Sequence, residues 1–212
     1  MNPIKKWHNQ CLANDMVEIL NKKHFNAIYA ETAEDAKKLL LDMIPEKSSI
    51  AMGGSVTLGD MGLVEIFRSE KYNFFDRYNQ PSYNDMVEVY RQSLLADYLV
   101  TSTNAITKNG ELVNTDCSGN RVAGMIFGPK NVIIVAGVNK IVKNIDEAFE
   151  RIKHIAPINA KRIRHQTPCS QTGFCTDCDA RERICNFTTI IHNGLKYKDR
   201  TTIIVVAEDL GY

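Results

Sequence analysis

Two stretches, "NVIIVAG" at residues 131–137 and "TTIIVVA" at 201–207, run almost without polar interruption through β-branched residues. A strand with no polar alternation has no face to offer water, so it belongs in a sheet covered on both sides, the usual condition of parallel sheets. Shorter runs of the same kind precede them: "FNAIYA" at 25–30, "SSIAM" at 48–52, "YNFFD" at 72–76 and "DYLVTS" at 97–102. Between these runs the apolar spacing changes to a helical period. Residues 3–25 carry Ile4, Trp7, Cys11, Leu12, Met16, Ile19 and Leu20 on a helical repeat, with Pro3 at the first turn. Thr32 with Asp35 forms a capping-box pattern ahead of Ala36, Leu39, Leu40 and Met43. Ser55 or Thr57 caps a helix through Leu58, Met61, Ile66 and Phe67, and Ser82 with Asp85 opens one through Met86, Val89, Tyr90, Leu94 and Leu95.

Alternating strand and helix predicts an α/β fold: a Rossmann-like, mainly parallel sheet with helices on both faces. "AITKNGELV" adds a hairpin at Asn109-Gly110, and residues 120–127 form a short helix ending before Gly128-Pro129. Asp146 is the expected cap of the helix "EAFERIKHI", which Pro157 should break or kink, with "INAKRIR" continuing. "FTTIIHN" and "TTIIVVA" close the chain as two strands flanking Asn193-Gly194. With 212 residues, 44% of them hydrophobic, the chain reads as one domain over residues 1–212, with the helix at 3–25 and a cysteine-rich loop at 167–187 as appendages.

Charge excludes some partners. The 26 basic and 25 acidic residues form no basic block, which argues against nucleic acid. No apolar run is long enough to span a bilayer, and "MNPIKKWHNQ" lacks the apolar core of a signal peptide. The expected compartment is therefore the cytosol, where thiols stay mostly reduced.

In a doubly wound sheet, ligands sit beyond the carboxyl ends of the strands. The loops there carry Gly53, Gly54, Ser55 and Thr57 after "SSIAM", and Thr103 and Asn104 after "DYLVTS". The hairpin returns through Asn114 and Asp116 into Gly119, Asn120 and Arg121; Asn139 and Lys140 follow "NVIIVAG", and Glu208 follows "TTIIVVA". Taken singly, each has a plainer reading: a tight turn, an Asx cap at Asp116, a solvated Lys140, an ordinary ion pair for Arg121. Taken together they gather polar groups at one sheet edge and predict a pocket. Gly53 to Ser55 would cradle a phosphate or carboxylate, with Arg121 and Lys140 neutralising it. Asp116 is the first choice for general base or polar anchor, Glu208 the second, and Cys117 an inert thiol or a nucleophile without a histidine in its own loop.

Cys169, Cys175, Cys178 and Cys185 form a C-x5-C-x2-C-x6-C array in a polar stretch with little core of its own. Four thiolates at that spacing suit a zinc ion or an iron–sulfur cluster, with Arg181 and Arg183 offsetting the charge. Disulfides or free thiols are the alternatives. His8, His24, His154 and His165 read as surface residues, and His192 as a rim residue at a strand end.

The stretch "TSTNAITKNGELVNTDCSGNRVAGMIFGPKNVIIVAGVNKIV" resembles the lactate-utilization (LUD) domain family, as do "AMGGSVTLGDMGL", "TPCSQTGFCTDC" with "RICN", and "VVAEDLGY". The resemblance implies a fold like that of CoA-transferases, ribose-5-phosphate isomerase and glucosamine-6-phosphate deaminase. It also implies a role in oxidising lactate or a related small organic acid to a keto acid beside iron–sulfur partner proteins. The cysteine loop resembles that of one subset of relatives. Three functions compete: a component of organic-acid oxidation with a cluster at the cysteines; a transferase, isomerase or hydrolase acting on a phosphorylated or CoA-linked small molecule, with zinc or nothing in the loop; and a non-catalytic subunit that docks through the loop. A homo-oligomer is compatible with each.

Overall fold

The computed structural model describes residues 2–212. Helix α1 (Pro3–Lys22) leads into strand β1 (Asn26–Ala30), helix α2 (Ala33–Asp42) and strand β2 (Ser49–Met52). Helices α3 (Val56–Asp60) and α4 (Leu63–Phe67) precede β3 (Asn73–Phe74), α5 (Tyr83–Ser93) and β4 (Tyr98–Thr101). The hairpin β5 (Ala105–Thr107) and β6 (Leu112–Asp116) is followed by α6 (Asn120–Ile126) and β7 (Asn131–Gly137). A 3-10 turn over Val138–Lys140, strand β8 (Ile141–Val142), helices α7 (Ile145–Arg162) and α8 (Pro168–Thr172), and strands β9 (Phe187–Ile191) and β10 (Thr201–Val206) complete the chain.

Six strands form a wholly parallel sheet in the order β1-β10-β7-β4-β2-β3. The two apolar runs that lack polar alternation, β7 and β10, lie side by side near its centre. Val132, Ile134, Ile203 and Val205 pack with Met16 and Leu20 of α1 and Met125 of α6. Ile133, Val135, Ile204 and Val206 pack on the other face with Leu40, Leu58, Leu63 and Phe67 of α2 to α4. Each such side chain, fully buried, contributes about 1.5–3 kcal/mol of transfer free energy. The parallel sheet with helices on both faces is therefore the architecture the sequence predicts.

Three local expectations need correction. The first helix ends at Lys22, because the chain turns at His24 with φ 62°. The helix expected across Leu58 to Phe67 is split in two by Gly62, whose φ of 70° lies outside the helical region. Asn144, not Asp146, caps α7 by accepting the Glu147 N–H, and α7 continues through Pro157. Pro157 is buried, and packing there offsets the ~3 kcal/mol a mid-helix proline costs. The last two strands are not partners: β10 enters the main sheet, while β9 pairs with β6 in a second sheet ordered β8-β5-β6-β9. Ala105, Val113, Ala148 and Ile152 glue α7 onto that small sheet. No helix among the described residues is long and apolar enough to cross a membrane.

Candidate functional site

The loops leaving β2, β4, β6 and β7 meet around a cleft of about 1430 Å³. Gly54, Ser55, Thr57, Thr103, Asn104, Asp116, Gly119, Asn120, Arg121 and Lys140 all line it. Gly53 lies beneath: a Cβ there would stand 2.8 Å from Arg121 Cδ and from Thr101 Oγ1. Two residues expected at the cleft are elsewhere. Asn139 accepts the Leu210 N–H at 3.1 Å and donates to the Leu210 carbonyl at 3.4 Å, so it clamps the final residues. The Glu208 carboxylate accepts the Ala33 N–H at 2.9 Å and so serves the first turn of α2. Both follow a sheet strand, but neither is among the residues lining the cleft.

Asp116 and Arg121 form a closed knot. Asp116 Oδ2 accepts the backbone N–H groups of Arg121 and Val122, each at 3.0 Å, and so caps α6 where Gly119 has no side chain to do it. Its Oδ1 accepts Arg121 Nε at 2.9 Å and lies 2.7 Å from Nη2. The guanidinium also donates to the Ser102 carbonyl, Asn114 Oδ1, Asn104 Oδ1 and the Thr115 carbonyl. Asn104 and Asn114 hold each other's loops: the Asn104 N–H donates to Asn114 Oδ1, and the Thr115 N–H donates to Asn104 Oδ1. With four donors on its two oxygens, the Asp116 carboxylate suits a polar anchor better than a base. Thr103 is likewise turned inward, donating to the Ala105 carbonyl.

Lys140 is different. Its side chain arrives on the 3-10 turn after β7 and is 5% exposed. Nζ donates to Thr57 Oγ1 at 3.0 Å and Ser102 Oγ at 2.9 Å, and no carboxylate pairs with it among the described residues. Burial, then the nearby Arg151 and Arg121 cations, push its pKa down from 10.5 to about 7. Thr57 is in place because Ser55 caps α3, accepting the Leu58 N–H at 3.3 Å.

The cleft is strongly basic although the chain is nearly neutral. Arg77, Arg91, Arg121, Lys140, Arg162, Arg164, Arg181 and Arg183 line it, against Asp116 and Glu182. Arg77 stacks over Tyr90 at 4.7 Å, and its buried Nε meets no acceptor. Arg151 stands behind Lys140, donating to the Asn139 and Tyr212 carbonyls, with a buried Nη1 left over. Ser102 and Arg77 are the residues sequence reasoning missed for no good reason. Both follow sheet strands, β4 and β3, at the edge where the other candidates were sought. The arginines of α7 and the cysteine loop carried no such signal.

That loop forms one wall of the cleft through Arg181, Glu182, Arg183, Ile184 and Asn186. Arg183 ties it together, donating to the Cys178 and Cys185 carbonyls and pairing with Asp177 at 2.8 Å. All four cysteines are free thiols; Cys169 is buried, with its sulfur 3.2 Å from Thr167 Oγ1. Burial first, then the charges of Cys175, Cys169 and Cys178, raise the Cys185 thiol to about 11, with Arg183 opposing. The four sulfurs are thus electrostatic neighbours, and their chemistry suits zinc or a cluster. Among the described residues, however, no group of three or more His, Cys, Asp or Glu side chains stands ready to hold a metal ion.

No curated protein matches the chain. Among solved structures, a DUF162 family protein from Deinococcus radiodurans aligns at a TM-score of 0.49 and 11% identity, over 93% of this chain and 97% of its own. The eIF2B delta subunit from Chaetomium thermophilum aligns at 0.33 and 16%, over 66% of this chain and 54% of its own. The LUD domain family model matches residues 13–206, which include every strand of both sheets and the residues that line the cleft from Gly54 to Asn186. The chain belongs to the LUD-domain family and is, at that level, a lactate-utilization-related protein.

Proposed function

We propose that the chain is the substrate-holding component of a small organic-acid oxidation system, and that it takes the carboxylate of a 2-hydroxy or 2-keto acid in the basic cleft near Lys140. The observation that carries this reading is the buried Lys140 amine, held by two hydroxyls with no carboxylate paired to it among the described residues. A buried charge without a partner is costly. An incoming carboxylate supplies the missing charge, and Arg77, which lines the same cleft, adds a second cation. Thr57 and Ser102 fix the position of Nζ, while Asp116 and Arg121 hold the loops that shape the cleft floor.

Oxidation of a hydroxy acid to a keto acid releases two electrons and two protons, so the reading requires an electron acceptor. On this reading, iron–sulfur partner proteins, which the family resemblance implies, would fill that role. Within this chain, Cys169, Cys175, Cys178 and Cys185 are the residues that would hold a zinc ion or a cluster. Such a centre would order the wall of the cleft, and a cluster would also carry electrons.

Titration calorimetry with lactate, glycolate and pyruvate tests the reading. Binding is expected to weaken at least about tenfold in Lys140→Met, the equivalent of 1.4 kcal/mol. Absence of binding by all three acids to the wild-type chain sinks it. A second reading, a transferase or isomerase for a phosphorylated or CoA-linked molecule, draws on the size of the cleft. Its volume of about 1430 Å³ exceeds the roughly 300–1,000 Å³ of ordinary small-molecule sites. Tighter binding of phosphate esters than of simple acids in the same titration would favour that alternative. Anaerobic purification with metal analysis and an absorption spectrum distinguishes cluster, zinc and bare thiols.

A further inference from the structure

Lys140 has more in its favour than the charge it offers. Its side chain is buried yet lines the cleft, and its hydrogen bonds among the described residues go to two hydroxyls. Other lysines are differently placed. Lys5, Lys6, Lys37, Lys71, Lys130 and Lys153 each pair with a carboxylate near the surface. Around Lys140 the nearby charges are the cations Arg121 and Arg151, which oppose protonation.

We propose that Lys140 Nζ is a nucleophile that forms a covalent imine with the carbonyl carbon of a 2-keto acid bound in the cleft. The proposal rests on the preceding reading for its ligand and goes beyond it in assigning covalent chemistry. When the carboxylate rests on the cleft arginines rather than on Lys140, the amine is free to lose its proton, and the neutral amine uses its lone pair to form the N–C bond while the carbonyl π pair moves to oxygen. That oxygen takes a proton while the nitrogen gives one up, leaving a carbinolamine. Protonation of its hydroxyl lets water depart as the nitrogen lone pair closes the C=N bond, and the resulting iminium returns that proton through the same hydroxyls to give the imine. The net change is amine plus ketone to imine plus water, with no oxidant or reductant required. Thr57 Oγ1 and Ser102 Oγ, both within 3.0 Å of Nζ, are placed to relay the protons. The lowered pKa gives a substantial neutral fraction near pH 7, where an ordinary lysine has almost none. A 2-hydroxy acid has no electrophilic carbon and binds the same place without reacting.

Borohydride trapping tests this. The full chain is mixed with pyruvate or glyoxylate, reduced, digested and mapped by mass spectrometry. The expected result is one reduced adduct on Lys140, at least about tenfold above any surface lysine, suppressed by excess lactate. Lys140→Arg, which keeps the charge, abolishes the adduct while its circular dichroism and thermal transition stay those of a folded protein. Labelling spread over surface lysines, unchanged in Lys140→Arg, overturns the proposal. If calorimetry detects pyruvate but no adduct forms on Lys140, the imine fails and the binding reading stands. If neither pyruvate nor lactate binds, both fail.

Discussion

Arg121 and Lys140 are both buried cations at the same edge of the same sheet, yet their surroundings differ in kind. Arg121 meets a carboxylate, two amide oxygens and two backbone carbonyls, and Asp116 is equally consumed. Lys140 meets two hydroxyls and, beyond them, like charge. A polar network that satisfies itself rigidifies what it touches and leaves nothing over for a ligand. A buried charge without its counterion is a debt that a stable fold does not incur unless something else settles it. On the proposed reading the first group belongs to the scaffold and the second to the ligand, and each assignment can be broken.

The largest effect belongs to the scaffold. Asp116→Ala strips the α6 cap and leaves the Arg121 guanidinium buried without its acid. Removing one partner of a buried pair costs about 3–5 kcal/mol. Urea denaturation should show a loss of that size, and a change under about 1 kcal/mol would mean that the knot is ornamental. Next comes Gly53→Ala. Its new Cβ would press on Arg121 Cδ and Thr101 Oγ1 at 2.8 Å. Because the guanidinium is pinned by the knot, the side chain cannot slide away, and overpacking of this kind costs about 2–3 kcal/mol. Gly54→Ala is the control, since its Cβ would reach only the end of Arg77 at 3.3 Å.

Lys140 should behave in the opposite sense. Its folded pKa, about 7, lies below the unfolded value of 10.5. Between those values the unfolded chain binds more protons than the folded one, so stability rises with pH through that window. Below pH 7 the penalty of charging the buried amine is fully present. Between pH 7 and pH 9 the gain is about 2 kcal/mol at roughly 1.4 kcal/mol per unit. Lys140→Met should abolish this slope and leave the protein no less stable at pH 7. A variant that unfolds at neutral pH would place Lys140 with the scaffold and erase the contrast with Arg121.

How much of this the sequence disclosed depends on the range of the interaction. β7 and β10 were plain from their apolar runs because burial on both faces is a property of the strand itself. The second sheet was not, because it depends on β6 meeting β9 across a long separation, as in the Thr115–Thr188 hydroxyl contact. Pro157 signalled a break or a kink, a local alternative that only the packed helix decides, and α7 runs on through it to Arg162. At the site, proximity to strand ends picked out Gly54, Asp116 and Lys140, which line one cleft. The same rule could not say which way a loop side chain turns. Asn139 and Lys140 are neighbours in sequence, yet one holds Leu210 and the other lines the cleft. Nor could spacing alone tell a spent carboxylate such as Asp116 from an available one.

The finest test of the comparison concerns the cation behind Lys140. After burial, Arg151 is the next influence holding the lysine pKa down. Its guanidinium is itself anchored to the Asn139 and Tyr212 carbonyls, so its charge is fixed in place. Arg151→Gln keeps hydrogen-bonding capacity but removes the charge. Two like charges several ångströms apart in a partly screened interior repel by about 1 kcal/mol or less, so the Lys140 pKa should rise by on the order of half a unit. The pH at which borohydride trapping reaches half its maximum reads that shift directly and should move upward, with maximal labelling unchanged. An unmoved midpoint would mean that desolvation alone sets the lysine, and that the cationic surroundings of the cleft act on the ligand rather than on the amine.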